Sequence, residues 1–383
     1  MRRLLTLLLL APATAVAVAP ATAAHADPAG TGYTLVFEDQ FDGTAVDTAK
    51  WNYRTDSKAY STQRPQNVSV SGGALNIALK KETYGGKDYT GGGVVSKQTL
   101  RYGYYETRAK LNDGAGWHSS FWLMAGDGST TYPASQRTEI DGFEIDSISP
   151  TRIHHGVLTW QGNGVSAGKS YGTTYTSSTI DSRDWHVYGI DWSETSTKFY
   201  VDGVLKYTAP YVPTDWTHDY TSIWLTSIAY GSVPDATKLP STVQFDYVRY
   251  WQKDYYVDDD GPAAYGYSET GTWSPSTLTG WTVGSPTRYA ACNTAGNTAT
   301  WRPNLRAAGT YRVSYYKVTA TNSDPAAKLT VAGTQTTVNG TAGSSGWVDL
   351  GTFALPAGTG TAVTLTSSGT GCARADAVRF LRI

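Results

Sequence analysis

Glu139-Ile140-Asp141-Gly142-Phe143-Glu144 is the stretch on which the reading of this 383-residue chain turns. Successive side chains on a strand point to opposite faces, so Glu139 and Asp141 share one face and Ile140 takes the other. Strict alternation would place Phe143, not Glu144, beside them. One extra residue in a β-bulge between Asp141 and Glu144 returns Glu144 to the acidic face, and Gly142 suits such a bulge. The expectation is a bulged strand that presents three carboxylates in a row. Crowded carboxylates raise one another's pKa, a cost that clusters at functional sites. A nucleophilic carboxylate paired with a carboxylic acid about 5–5.5 Å away is what retaining cleavage of a glycosidic bond requires. A lone Glu-x-Asp is more often a solvated strand face, but the flanks argue otherwise. Trp117, Phe121, Trp122 and Trp160 lie close in sequence, and roughly half of such aromatics are expected to stack on a sugar ring rather than fill the core.

Working outward, the pattern stays that of strands. Gln244-Phe245-Asp246-Tyr247-Val248-Arg249-Tyr250-Trp251 alternates cleanly. The chain holds 40 Gly, 27 Tyr and 13 Trp but only two Met, and 16% of it is charged, so long helices have little to be built from. The expected fold class is all-β. A formal net charge of −1 without a basic patch excludes nucleic acid as a partner. Arg2 and Arg3, the apolar run Leu4 to Leu10 broken only by Thr6, and Ala24-His25-Ala26 read as a secretory signal peptide over residues 1–26. No segment reaches the ~20 apolar residues of a membrane span. The expectation is a secreted, extracellular chain with no membrane partner. An exported chain meets oxidising conditions, so Cys292 and Cys372 are expected to form a disulfide; nothing stands beside them at zinc-like spacing.

The texture changes near residue 253. Residues 27–252 are dense in strands and aromatics; residues 253–383 are richer in Thr, Ala and Gly, with short strands such as Thr310–Tyr316 and Ala362–Thr366 that suggest a second β-sandwich of roughly 125 residues. Between them Asp258-Asp259-Asp260-Gly261-Pro262 reads as a solvated turn, with calcium ligation as the alternative.

Glu139-Ile140-Asp141-Gly142-Phe143-Glu144 resembles the catalytic signature of glycoside hydrolase family 16 in its bulged form. The agreement continues through Phe37–Gly43 with Trp51, Asn67-Val68, Gly73–Ile77, Tyr102–Lys110, Gly116-Trp117 leading to Phe121–Met124, Trp185–Trp192, Phe199–Gly203 and Phe245–Tyr250, in order over residues 33–252. The resemblance implies a concanavalin-like β-jelly-roll of two curved antiparallel sheets and endo-acting, retaining hydrolysis of a β-linked polysaccharide. It implies Glu139 as nucleophile, Glu144 as general acid/base and Asp141 as their assistant. Glu106 and Arg108 are expected to line the cleft, Asn67 and Trp117 to touch sugar, and His154 with Trp160 to form the leaving-group side, His155 being the alternative to His154. No cofactor is implied for catalysis, although a structural calcium, to which Asp246 would contribute, fits the family.

Three segments depart from the pattern of β-1,3-glucanases. Trp117-His118-Ser119-Ser120 stands where Trp-Pro-Ala is common. Tyr132–Thr138 replaces a Trp-Pro-x-x-Gly-Glu approach, and Tyr230-Gly231-Ser232-Val233 replaces Gly-Gly-x-Trp. A β-1,3-type glucan is the expected substrate, with agar- or porphyran-type galactans, a transglycosylase and a non-catalytic lectin left open; the chain is expected to act as a monomer. Residues 258–383 are similar to the carbohydrate-binding-like sandwich that ends xanthan lyase and golvesin-type proteins, with Trp273, Trp301 and Trp347 as a candidate sugar platform of which at least two are expected to pack in the core.

Overall fold

The computed structural model describes residues 33–130, 136–161, 165–210, 220–252, 254–259, 266–281 and 286–383. The segment 1–26, read above as a signal peptide, the segment 131–135 and Asp260-Gly261-Pro262 lie outside these residues. Two antiparallel sheets form the larger unit. The front sheet runs Val165–Thr176, Arg152–Gln161, Gln136–Asp146, His118–Met124, Ser222–Ile228, Lys87–Ser96; the back sheet runs Ala74–Tyr84, Ser241–Gln252, Gly103–Lys110, His186–Trp192, Ser196–Val201, Val204–Pro210. The hairpin of Ala74–Tyr84 and Lys87–Ser96 belongs to both and staples them together. This is the expected all-β jelly-roll.

Period-2 patterning explains which residues meet between the sheets. In Gly103–Lys110 every second residue is buried, so Tyr105, Thr107 and Ala109 face the core while Tyr104, Glu106, Arg108 and Lys110 face outward. Phe121, Ile140 and Phe143 of the front sheet meet Tyr188 and Ile190 of the back sheet in one continuous core. His118–Met124 is buried on both faces, because its second face carries another apolar layer of Val95, Trp122, Met124 and Trp224 with Trp160 against it.

Residues from Asp254 onward build three smaller sheets of four, five and three strands. Trp301, Val313, Leu329, Leu365 and Phe380 fill their core, and Cys292 and Cys372 form the expected disulfide. At least two of the three tryptophans are core, as expected, rather than a sugar platform. Trp301 is completely buried, Trp347 is packed against Tyr256, Trp281 and Tyr316, and Trp273 is half-buried with its N–H donated to the Thr270 carbonyl.

The two units share an aromatic seam. Trp281 stacks on Tyr256 at 4.6 Å between centroids, and the edge of Tyr102 from the larger unit meets both. The Arg101 guanidinium sits 4.6 Å from the Trp281 ring centroid. Glu194, in a turn of the back sheet, accepts hydrogen bonds from Tyr256 Oη (2.8 Å) and Trp347 Nε1 (3.2 Å) and lies 3.5 Å from Arg379. Such a seam couples the two units energetically. Trp281→Ala, which empties a site only 6% exposed, is expected to cost about 3–5 kcal/mol and to lower the unfolding midpoint of the larger unit as well as the smaller in a denaturant titration. An unchanged transition in the larger unit would contradict the coupling.

Candidate active site

The register of Gln136–Asp146 with both neighbours locates the bulge. Toward His118–Met124, Phe143 pairs with Phe121 and Asp141 with Trp122, leaving Gly142 without a partner. Toward Arg152–Gln161, Glu144 pairs with His154 and Asp141 with Gly156, with the same shift. A Cβ on Gly142 would come within 2.7 Å of Phe121 and 2.8 Å of Ile190, so only glycine lets the bulge sit on the core. The consequence is the expected one. Ile140 and Phe143 are buried inward, while Glu139, Asp141 and Glu144 share the outer face of the front sheet.

Neighbouring rows complete that face. Asp141 shares a row with Trp122 and Trp224, and Glu144 with Ser120 and Thr226. Trp122 and Trp224 stack at 4.6 Å, and Arg54, ion-paired with Asp56 at 2.7 Å, lies 5.7 and 5.6 Å from their ring centroids. Of the four aromatics flanking the motif, Trp122 and Trp160 belong to this face; Trp117 and Phe121 belong to the core. Gly156 faces Asp141 across the strands, where a Cβ would stand 3.0 Å from Asp141 Oδ2 and 2.9 Å from His154 Nε2.

Each carboxylate has its own surroundings. Glu139 accepts a hydrogen bond from Trp160 Nε1 at 3.0 Å. Burial first, and then the charge of Glu144, push its pKa up; the Trp160 bond, Arg137 and Arg54 pull the other way. Asp141 is 1% exposed and neither carboxyl oxygen has a hydrogen-bond partner, so burial and the charges of Glu144 and Glu139 hold its pKa well above the usual range. Ionisation is therefore disfavoured at both groups, but only Glu139 has a donor and nearby cations that offset it. Glu144 is the most open of the three, with 30% of its side chain exposed. One of its oxygens lies within 4.8 Å of atoms of Asp141 and His154, and its Oε1 is 3.0 Å from His118 Nε2. A cavity of about 240 Å³ opens beside it, lined by His118, Glu144, Asp146, Arg152, His154 and Tyr230 among others. The arrangement offers a hydrogen-bonded carboxyl group, a buried one without a hydrogen-bond partner and a solvent-facing one over an aromatic floor.

The expected sugar contacts divide. His154 stands 4.0 Å from Glu144 Oε2, whereas His155 is buried on the core side, bonded to the Gly142 carbonyl and stacked with Phe199; the parity assignment to His154 is correct. Trp160 is at the site but at the Glu139 end, not beside His154 at the Glu144 end. Glu106 and Arg108 are not in the cleft. They project outward from the back sheet, where Glu106 accepts from Tyr247 and Tyr104 and Arg108 pairs with Asp246 at 2.9 Å. Similarity fixed their strand, but alternation there turns their side chains away from the front sheet. Asn67, 2% exposed, donates to the Gly91 carbonyl, and Trp117, 1% exposed, lies in the core, so neither is open to a sugar. His118, Asp146 and Tyr230 were missed as site residues. The signal was present for Asp146, two residues beyond Glu144 and so on its face.

Metal ligation is a separate matter. Among the described residues, Asp258 and Asp259 converge with Asp376, ligand atoms within 4.8 Å of one another, an oxygen-only set of the kind hard cations take. Asp246 accepts a hydrogen bond from Arg108 at 2.9 Å.

Residues 35–253 match the family described as Beta-porphyranase A-D, GH16 domain, and residues 257–382 match the Golvesin C-terminal domain. The chain is 31% identical over 276 residues to the glucan endo-1,3-beta-glucosidase A1 of Niallia circulans, a match covering 59% of this chain and 39% of that protein. It is 29% identical over 248 residues to a beta-glucanase of Rhodothermus marinus, covering 57% of this chain and 85% of the relative. Among solved structures, a variant of SCLam, a non-specific endo-β-1,3(4)-glucanase from family GH16 co-crystallised with 1,3-β-D-cellobiosyl-cellobiose, is 31% identical with a TM-score of 0.50, covering 58% of this chain and 96% of that one. The chain thus spans less than half the length of the Niallia protein.

Two outcomes follow from the geometry. Trp160→Phe removes the N–H that favours ionised Glu139, so its pKa rises further; the acid limb of kcat/KM against pH is expected to move to higher pH, starting from a value already raised toward about 7. Glu106→Gln and Arg108→Ala, on the far face, are expected to leave KM within about twofold of wild type in the same assay.

Proposed function

Because this chain belongs to glycoside hydrolase family 16, we propose that it is a secreted, retaining endo-glycosidase that cuts internal β-linkages of a polysaccharide, most readily a β-1,3-type glucan. The observation that carries the reading is the bulged strand, which sets Glu139, Asp141 and Glu144 on one face over the Trp122/Trp224 floor. In the first displacement the Glu139 carboxylate bonds to the anomeric carbon as the glycosidic C–O bond breaks, and Glu144 gives its proton to the departing oxygen. In the second, Glu144 takes a proton from water as that water's oxygen displaces Glu139, restoring both groups and the anomeric configuration. Burial and the charges of Glu144 and Glu139 disfavour ionisation of Asp141, which limits the repulsion among three adjacent carboxylates.

The glucan reading leans on the activities named for the Niallia protein and for SCLam. A galactan of the porphyran type is the second reading, favoured by the description of the matching family. Secretion rests on the N-terminal pattern alone; recovery from culture medium of a protein beginning at Asp27 would support it, and an intracellular chain beginning at Met1 would refute it.

A panel of laminarin, mixed-linkage β-glucan, agarose, porphyran and carrageenan separates the substrates. Oligosaccharides are expected from laminarin, and release from porphyran or agarose alone selects the galactan reading. Glu139→Gln and Glu144→Gln are each expected to abolish nearly all product release with an unchanged circular dichroism spectrum, and Asp141→Asn to cost less. Near wild-type turnover in Glu139→Gln would refute the assignment of roles. Binding to one polymer without cleavage would point to a lectin, and products longer than the supplied oligosaccharides to transglycosylation.

A further inference from the structure

We propose that His118 is a positioning residue that fixes the carboxyl group of Glu144 and, through Asp146, supplies the positive charge beside which that group works. The inference rests on the reading of Glu144 as acid/base.

His118 begins the strand His118–Met124 and pairs in register with Asp146, while Ser120 pairs with Glu144. Its ring therefore lies on the catalytic face, between the two carboxylates. Nδ1 is 2.9 Å from Asp146 Oδ1 and Nε2 is 3.0 Å from Glu144 Oε1. The residue is 8% exposed, and Tyr230 closes over it edge-on at 5.0 Å. A neutral imidazole has one donor and one acceptor; when the Glu144 proton sits on Oε2, Oε1 and Asp146 Oδ1 are both acceptors, and the doubly protonated ring donates to both. Asp146, with 56% of its side chain exposed, keeps its own charge solvated while stabilising that cation.

The bond to Oε1 also orients Glu144. With Oε1 held, Oε2 is the oxygen nearest His154, at 4.0 Å, and faces the cavity where a leaving group would sit. His154 is itself tied to Thr174 Oγ1 at 2.8 Å. The titratable and charged groups around His118 are Glu144 and Asp146 on the catalytic strand, Arg152 and His154 from the next strand, and Tyr230 above the ring. Burial works against the cation, but the bonds to Asp146 and Glu144 outweigh it and raise the His118 pKa to about 9.

The chemistry follows without moving a proton onto or off the histidine. When the Oε2–H bond breaks and the glycosidic oxygen gains that proton, the new Glu144 carboxylate forms beside an imidazolium, which stabilises it. Both ring protons stay on His118. The same cation is lost in a His118 variant, so the basic limb of the pH profile is where its removal is expected to show.

The test uses the full-length mature chain with laminarin as substrate, or porphyran if only that polymer is cleaved. His118→Gln keeps a neutral N–H in reach of Glu144 and removes the charge; Asp146→Asn keeps an acceptor for Nδ1 and weakens the charge. Both are expected to move the basic limb of kcat/KM to higher pH, His118→Gln by about one unit, with kcat lowered about 10- to 100-fold and KM little changed. In the free protein, ¹⁵N-histidine NMR should show both His118 nitrogens protonated at pH 8 in wild type and a lower titration midpoint in Asp146→Asn. If His118→Gln and Asp146→Asn fold and keep the wild-type basic limb, or if His118 is neutral at pH 8, the proposal is overturned. Glu144→Gln separates this failure from that of the underlying reading: an inactive Glu144→Gln with an unmoved limb in the His118 variant removes only the positioning role, whereas an active Glu144→Gln removes both.

Discussion

Everything at the catalytic face depends on one unpaired residue. Gly142 opposes no residue on either neighbouring strand, and its lack of a side chain is what lets the bulge rest on Phe121 and Ile190. Without the bulge the period of the strand would turn Glu144 into the core and Phe143 into solvent. With it, Phe143 meets Tyr188 at 4.2 Å in the core and Glu144 faces outward. The same residue thus satisfies the packing of the sandwich and the assembly of the site, and Gly156, opposite Asp141, leaves room for the middle carboxylate.

The second constraint is charge. Three adjacent carboxylates are affordable only because each is treated differently. Asp141 is buried without a hydrogen-bond partner, which disfavours its charge; Glu139 is partly buried, but a Trp160 N–H and the nearby Arg137 and Arg54 favour its charge; Glu144 is open to solvent and bonded to His118. Environments that push like groups apart are how one fold runs nucleophile and acid at the same pH. Arg54 links this balance to the floor, since it packs against both Trp122 and Trp224 while paired to Asp56.

How much of this was legible in the sequence follows from the range of each signal. The all-β class, the bulge, the shared face of the three carboxylates and the disulfide partners come from local patterning or from a short residue inventory, and each is found in the structure. Contacts set by the pairing of distant strands were not legible. Glu106 and Arg108 lie on a strand whose alternation is plain, but only the packing of the two sheets shows that their face is the far one. His118 stood out in sequence merely as a departure from a familiar tripeptide; its register against Asp146, twenty-eight residues on, gives it a role. Trp117 was indistinguishable from Trp122 until packing separated them, Trp117 in the core between the sheets and Trp122 in the layer with Trp224.

The measurement that reaches the central claim most directly is the anomeric configuration of the first product, followed by ¹H NMR from the start of cleavage of laminarin, or of porphyran if that is the polymer cut. A nucleophilic Glu139 with Glu144 as acid and then base requires two displacements, so the β-anomer must appear first and the α-anomer only later by mutarotation. Initial release of the α-anomer would mean a single displacement by water and would contradict the roles assigned to both residues.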